Sequence, residues 1–515
     1  MNVEQILKRH KIAQNKKDDF RSLYEDAMEF ALPQRNLYGG EYEGRVGGKR
    51  KMSRVFDSTA INSTQRFANR LQSGIFPPQR KWCRLEPGTD IPMDRKTQAQ
   101  YALDMYADKM FALLKQSNFD IAMGEFLLDL SVGTAVMLVQ PGDSVNPINF
   151  IPVPQYLVSF EEGANGQVDN VYRKMRIKGE SIQMQWKDAV IPPDLQRLIA
   201  DKPTEEIDLV EATVLNLDRG DFSYYVIHEK SNTELVFRKL KSSPWVVSRY
   251  MKVAGEIYGR GPVLSALPDI KTLNKVKELL LKNASLAITG VYTAADDGVL
   301  NPANVKITPG AIIPVARNGG PQGEALKPLP RAGDFNVSQL VINDLVQSIK
   351  RTLLDESLPP DNMSARSATE VVERMKELAQ NLGSAFGRLI NETMIPLVTK
   401  ILEVMDANGM IDLPLKVNGL EVKVSPVSPL AMAQNMDEIN NILQFMQITA
   451  GMGPEGQMAI KPGTAIDYIA DKLGVPIQVR TTGEERKGLM QQMAQAAMMA
   501  QQQQGALPAP AEGIA

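Results

Sequence analysis

The chain has one cysteine, Cys83, and two histidines, His10 and His228, in 515 residues. A lone cysteine rules out an intrachain disulfide and suits a reducing compartment. So few soft ligands leave no set for a structural zinc site. No apolar run approaches the roughly 18 residues of a membrane-crossing helix, so no membrane insertion is expected. The N-terminal stretch MNVEQILKRHKIAQNKK lacks the apolar centre of a secretory signal. An excess of one charge is also missing: 58 basic residues face 60 acidic ones, for a net charge of −2. That excludes a surface coated for tight nucleic-acid binding but leaves room for a local basic lining.

Catalytic motifs are absent too. A phosphate-binding P-loop needs Gly, four residues, then Gly-Lys-Ser/Thr. The nearest stretch, Gly44 to Arg50, has the wrong spacing and lacks the hydroxyl residue for magnesium. No H-E-x-x-H, G-x-S-x-G or C-x-x-C occurs. His228 falls in a strand pattern with Phe222, Tyr224 and Val226 and has no evident partner for general-base work. Asp296-Asp297 beside Gly298 reads as a turn, without the further carboxylates that a cation site requires. No enzyme activity and no cofactor are expected.

What is present reads as an α+β chain, mainly helical. A hydrophobic share of 43% and a charged share of 23% are ordinary for a soluble protein. The length calls for roughly two to four domains. Residues 2–31 read as one helix, with Ile6, Phe20, Leu23, Tyr24, Ala27, Met28 and Ala31 on a buried stripe and Pro33 as its stop. Residues 34–53 form a Gly-rich loop, in which Lys49, Arg50 and Lys51, followed by Arg54, could meet phosphate or an acidic partner. Asp57 or Ser58 caps a helix with Ala60, Phe67, Leu71 and Ile75 inside, stopped at Pro77-Pro78. Helices follow at 96–118 and 120–132. Short strands begin near 134, and residues 208–252 read as an antiparallel meander through Phe222, Tyr224, Val226, Leu235, Phe237, Trp245 and Val247.

The most informative arrangement comes next. After Gly259-Arg260-Gly261-Pro262, a helix carries Ile270, Leu273, Val276, Leu280, Ala284 and Ala287 on one face. Its other face carries Lys271, Lys275, Glu278 and Lys282, which suits plain solvent as well as a polyanion. A Pro/Gly-rich excursion over 289–334 is too long for a turn. A second helix follows, with Val337, Leu340, Val341, Leu345, Ile349 and Leu353 on one face and a basic end, Lys350-Arg351. Two such helices can pack as an antiparallel hairpin. A polar loop, 356–366, ends at Arg366. Ser367 and Glu370 then form a capping-box pattern at the start of a long helix. Val371, Met375, Leu378, Leu382, Phe386 and Leu389 keep helical spacing, Pro396 kinks or breaks the helix, and Asn408-Gly409 ends it. A β-like piece at 415–424 precedes helices near 429–451 and 463–473. The Met/Gln-rich tail is low-complexity, with its last residues expected to be disordered.

Three segments together resemble one family. EIYGRGPVLSALPDIKTLNKV (256–276), FDSTAINSTQRFANRLQSGIFPPQRKWCRL (56–85) and the stretch SARSATEVVERMKE look like the head-to-tail connector, or portal, proteins of podoviruses. They fall in the family's order, and the resemblance spans roughly residues 1–480. It implies the portal fold and a ring oligomer, usually a dodecamer, at one capsid vertex. The implied regions are a wing at 1–255, a first stem helix at 256–288, a clip at 289–334 and a second stem helix at 335–356. A tunnel loop at 357–367 follows, including Pro359, Pro360, Asp361, Asn362, Met363 and Ser364. A long wing helix and its return occupy 368–425, a crown 426–490 and a partly disordered tail 491–515.

The same resemblance implies a virion protein through which double-stranded DNA is packaged and ejected. Lys271, Lys275, Glu278, Lys282, Lys350, Arg351 and Arg366 would then line the DNA channel. Tyr292, Asp296, Asp297, Lys306 and Arg317 would bind partners at the clip. The implied partners are the terminase large subunit, a tail adaptor protein, scaffold protein and major capsid protein. Other readings are a scaffold-like virion protein and, less well supported, a packaging ATPase or nuclease.

Overall fold

The structure, a computed structural model, describes residues 2–35, 54–88, 93–143, 146–289, 292–294, 326–328, 335–355, 377–411, 422–452 and 461–473, with isolated positions at 52 and between 475 and 496. The N-terminal half contains α1 (Val3–Asp18), α2 (Arg21–Ala31), α3 (Thr59–Ile75), β1 (Cys83–Pro87), α4 (Met93–Gln116) and α5 (Phe119–Val132). Strands follow: β2 (Thr134–Pro141), β3 (Ile148–Val153), β4 (Val158–Glu162) and β5 (Val168–Lys178). After α6 (Ile182–Gln185) and α7 (Pro193–Asp201) come β6 (Glu206–Asn216), β7 (Asp221–His228), β8 (Thr233–Leu240) and β9 (Trp245–Arg249). The C-terminal half has α8 (Pro262–Thr289), β10 (Tyr292–Ala294), β11 (Leu326–Pro328), α9 (Phe335–Thr352), α10 (Ser384–Leu389), α11 (Ile395–Ala407), β12 (Val422–Pro426), α12 (Pro429–Gly451) and α13 (Pro462–Lys472).

A three-stranded sheet of order β3-β2-β9 divides the two largest cores. Side chains of a strand alternate between faces, so β2 serves both. Ala135, Met137 and Val139 join a core built from α3, α4, α5, α11 and the β1–β12 pair. Val136 and Leu138 join a second core with α2, α8 and α9. Burial on both sides explains the unbroken apolar run AVMLV. In the first core Trp82 lies 5.1 Å from Phe76, 5.3 Å from Phe111 and 6.0 Å from Phe119. Removing such a ring costs about 3–5 kcal/mol.

The second sheet has the order β4-β5-β6-β7-β8. One face packs on α6 and α7 through Ile182, Trp186 and Leu195. The other packs on α1 through Ile6 and Ala13 against Tyr172, Ala212 and Tyr225.

Several expectations change here. The single helix over 2–31 is two, because α1 packs on the five-stranded sheet while α2 enters the second core. Phe20 stands at the break, its ring 5.4 Å from that of Tyr258. The meander covers β6, β7 and β8, but β9 leaves it to pair with β2, Trp245 opposite Leu138. Phe237 is 44% exposed rather than inward-facing, and a register shift at Val226/Ile227 disturbs the alternation. The helix described from 377 is interrupted at Gly383, whose φ is +46°. At Pro396 the helix is preceded by a π turn, Ile390–Met394, rather than a gap. Such a turn accommodates the N–H that proline lacks. Gly409 ends α11 with φ +66°, its N–H on the Asp406 carbonyl at 3.0 Å and that of Met410 on the Met405 carbonyl at 2.9 Å.

Candidate nucleic-acid interface

The α8 helix starts where three backbone segments touch. A Cβ on Gly133 would lie 2.2 Å from the Gly259 carbonyl oxygen, and one on Gly261 would lie 2.1 Å from that of Ser131. The Gly261 N–H donates to the Val132 carbonyl at 2.8 Å, and the Gly259 N–H to Thr134 Oγ1 at 2.8 Å. The Tyr24 hydroxyl donates to the Gly259 carbonyl. Close approach therefore demands glycine on either side of Arg260. Pro262 opens the helix, where its missing N–H goes unneeded.

Arg249 braces this root from the end of β9. It is 0% exposed. Its guanidinium donates to Glu392 Oε1 at 2.7 Å, Glu162 Oε2 at 3.2 Å and the Gly166 carbonyl at 2.8 Å. Its backbone N–H donates to Glu392 Oε2 at 2.9 Å. One buried cation thus joins the central sheet, the edge of the five-stranded sheet and the π turn.

From this root α8 and α9 run as an antiparallel pair. Ser348 Oγ donates to Asp269 Oδ2 at 2.6 Å near the root, and β10 pairs with β11 beyond the other end, Tyr292 opposite Pro328. Ile270 and Leu273 face Ile342, Ile349 and Leu353 inside the second core. Asn274 fastens α8 to the approach to α3, accepting from the Phe56 N–H at 2.7 Å and donating to the Arg54 carbonyl at 2.9 Å.

The lysine face of α8 is exposed. Lys275 and Lys282, 63% and 64% exposed, hold Glu278 at 2.9 and 2.5 Å. Hydrogen bonds from Lys282 and Lys275 draw the Glu278 carboxyl down to about 2. Lys271 pairs with Asp26 of α2. Three lysines against two carboxylates leave this face of each chain with one net positive charge. Exposed pairs of this kind exchange partners at little cost.

At the end of α9 the chain turns sharply. Leu354 has φ +54°, its N–H donates to the Arg351 carbonyl at 3.0 Å, and the Asp355 N–H donates to the Lys350 carbonyl at 2.7 Å. This left-handed turn strains a non-glycine residue by about 1 kcal/mol, and α3 holds it. Ser63 Oγ donates to the buried Asp355 carboxylate at 2.7 Å, Arg66 reaches it at 3.3 Å, and Arg70 donates to the Leu354 carbonyl.

The bacteriophage head to tail connecting protein family matches residues 3–480. The chain belongs to that family. It is a head-to-tail connector, a structural component of the virion. It is 23% identical to the probable portal protein of Bordetella phage BPP-1 over 527 residues, covering 96% of this chain and 92% of that one. It is 22% identical to the portal protein of Escherichia phage T7 over 476 residues, covering 87% and 83%. Among solved structures it is similar to the neck of a native gene transfer agent particle computed with C12 symmetry. That match is 12% identical with a TM-score of 0.32 and covers 78% of this chain and 91% of that one.

The connector brings Lys271, Lys275, Glu278 and Lys282 onto one exposed helix face. Lys350, half-buried, and Arg351, exposed, lie in the last turn of α9, near the root. Tyr292 begins β10. Asp296, Asp297, Lys306, Arg317, Pro359, Pro360, Asp361, Asn362, Met363, Ser364, Arg366, Ser367 and Glu370 lie outside the described residues. The inward face of α9 differs from expectation: Ile342 is buried, Val346 is half-buried, and Leu340 and Val341 are 73% and 44% exposed. His228 is bound to Ser231 Oγ at 2.7 Å in a surface turn. Sequence reasoning missed Arg249, Glu392 and Asp26. Apart from the Arg388–Glu392 pair within one helix, their partners lie far away along the chain. Gly259 and Gly261 were noticed only as punctuation.

Proposed function

We propose that the connector acts as a portal: a ring, twelvefold as in the usual family assembly, at one capsid vertex, through which double-stranded DNA enters and leaves. The observation that carries this reading is the α8 face, where exposed lysines are tempered by Glu278 and Asp26. A conduit must attract DNA without gripping it. Each phosphate firmly neutralised would add steep, salt-dependent binding. One net positive charge on this face of each chain, repeated around a ring, gives a positive field with weak individual contacts.

The hairpin also leaves Leu279, Leu281, Leu340 and Val341 uncovered, at 49%, 52%, 73% and 44% exposure. Neighbouring copies would bury them. In this reading residues 1–255 are wing, 256–288 and 335–356 stem, 289–334 clip, 357–367 tunnel loop, 368–425 the wing helix and its return, and 426–490 crown. The clip would take the terminase large subunit and later the tail adaptor. The wing would meet scaffold and major capsid protein.

The test combines Lys271→Ala, Lys275→Ala and Lys282→Ala. Negative-stain micrographs should still contain closed rings, while DNA packaging or retention changes. Loss of rings would make these lysines interface residues and remove the channel assignment.

A further inference from the structure

A cleft of about 320 Å³ opens between α1 and β5, on the face of the five-stranded sheet away from α6 and α7. His10, Gln14 and Lys17 line it from α1, Arg21 from the start of α2, and Lys174 and Arg176 from β5. Asp18 lies in the same wall.

His10 is 6% exposed, and its Nε2 is buried without a partner among the described residues. Its Nδ1 lies 3.2 Å from Ser159 Oγ. Burial pushes the imidazole down to about 4, so it is neutral at physiological pH.

Lys17 donates to the Tyr156 carbonyl at 2.7 Å and has two further N–H bonds to give. Burial, opposed by Asp18 and reinforced by Arg21, pushes its ammonium down to about 8, so it remains largely charged at neutral pH and an anion beside it would be favoured. Arg21 is exposed. Lys174 and Arg176 already hold Glu229 and Asp208, at 2.9 and 2.6 Å, and contribute less.

Donors therefore stand on both walls. A carboxylate offers its oxygens in one plane on one side, whereas a phosphate offers them tetrahedrally and can be held from both. We propose that this cleft binds a phosphate group, with Lys17 and Arg21 as its ligands from one wall and Lys174 and Arg176 facing it from the other. The site is built from α1, α2 and β5, apart from the α8 lysines, and does not depend on the ring reading. The phosphate could come from a small phosphate compound or from a DNA backbone.

The test is calorimetric titration of the full chain with inorganic pyrophosphate at constant ionic strength. Saturable binding is expected, weakened about tenfold by Arg21→Gln and by Lys17→Gln, since each removes one charge-assisted contact. Arg21→Gln is an exposed change and should leave the thermal midpoint unaltered, which separates binding from folding. Competition by a short DNA duplex is then measured in the Lys271→Ala/Lys275→Ala/Lys282→Ala background. Displacement of pyrophosphate assigns the site to DNA, and persistence assigns it to a small phosphate compound; either supports the cleft. No saturable heat with pyrophosphate, or binding unchanged by both substitutions, overturns the proposal. So does binding of a glutamate-rich peptide in place of pyrophosphate.

Discussion

The two ends of α8 are held by different means. At the root, Gly259 and Gly261 touch neighbouring backbone, Arg249 joins three segments, and Asn274 fastens the helix to the approach to α3. Farther out, Lys275, Glu278 and Lys282 pair with one another among the described residues, and Leu279, Leu281, Leu340 and Val341 are exposed. The root is determined by contacts within one chain. The outer half has few such contacts among the described residues. A ring that must be rigid where it is anchored and permissive where DNA slides would have this division.

The strongest way to break the comparison is at Arg249. Arg249→Met leaves Glu392 and Glu162 without their shared cation and should cost about 3–5 kcal/mol in denaturant unfolding. A loss under about 1 kcal/mol would mean that the root is not locked by this residue.

Acid should separate the two regions next. His10 titrates near 4 when folded, against about 6.5 unfolded. Between those values the unfolded chain binds the extra proton, so stability falls as pH falls through the window. By pH 4 this group alone would remove up to about 3 kcal/mol, and His10→Gln should flatten the wild-type decline in melting temperature. Glu278, near 2 when folded, keeps its lysine contacts well below the usual carboxylate range and loses them only as pH falls toward 2. The packing of α1 on the five-stranded sheet should therefore weaken in mild acid while the α8 ion pairs persist.

Gly261→Ala comes third. A methyl 2.1 Å from the Ser131 oxygen forces the backbone to shift, at a cost of about 1–3 kcal/mol readable as a lower thermal midpoint. The smallest effect on the single chain should come from Leu340→Ser. That exposed change should alter unfolding by less than about 0.5 kcal/mol yet shift sedimentation toward smaller assemblies. A large loss of chain stability would mean that Leu340 is packed within the subunit.

The helices were legible wherever one stripe met one core. The face of α8 through Ile270 and Leu273 is an example, and so is α3 through Phe67 and Leu71. Reading failed where a residue's partner is remote. Strand β1 pairs with β12, Cys83 opposite Pro426, across most of the chain. No local pattern announces that pairing. The inward face of α9 is not legible from periodicity because Leu340 and Val341 are apolar yet exposed, and periodicity alone does not distinguish a buried stripe from an exposed one. The lysine face was legible as a face. Asp26, which answers Lys271 from α2, was not.

The most direct test is electron cryomicroscopy of the assembled protein, asking where Lys271, Lys275 and Lys282 lie. Closed rings are expected, with these side chains on the wall of the central bore and Leu279, Leu281, Leu340 and Val341 buried between neighbouring chains. A stable monomer, or a ring carrying these lysines on its outer rim, would contradict the portal reading.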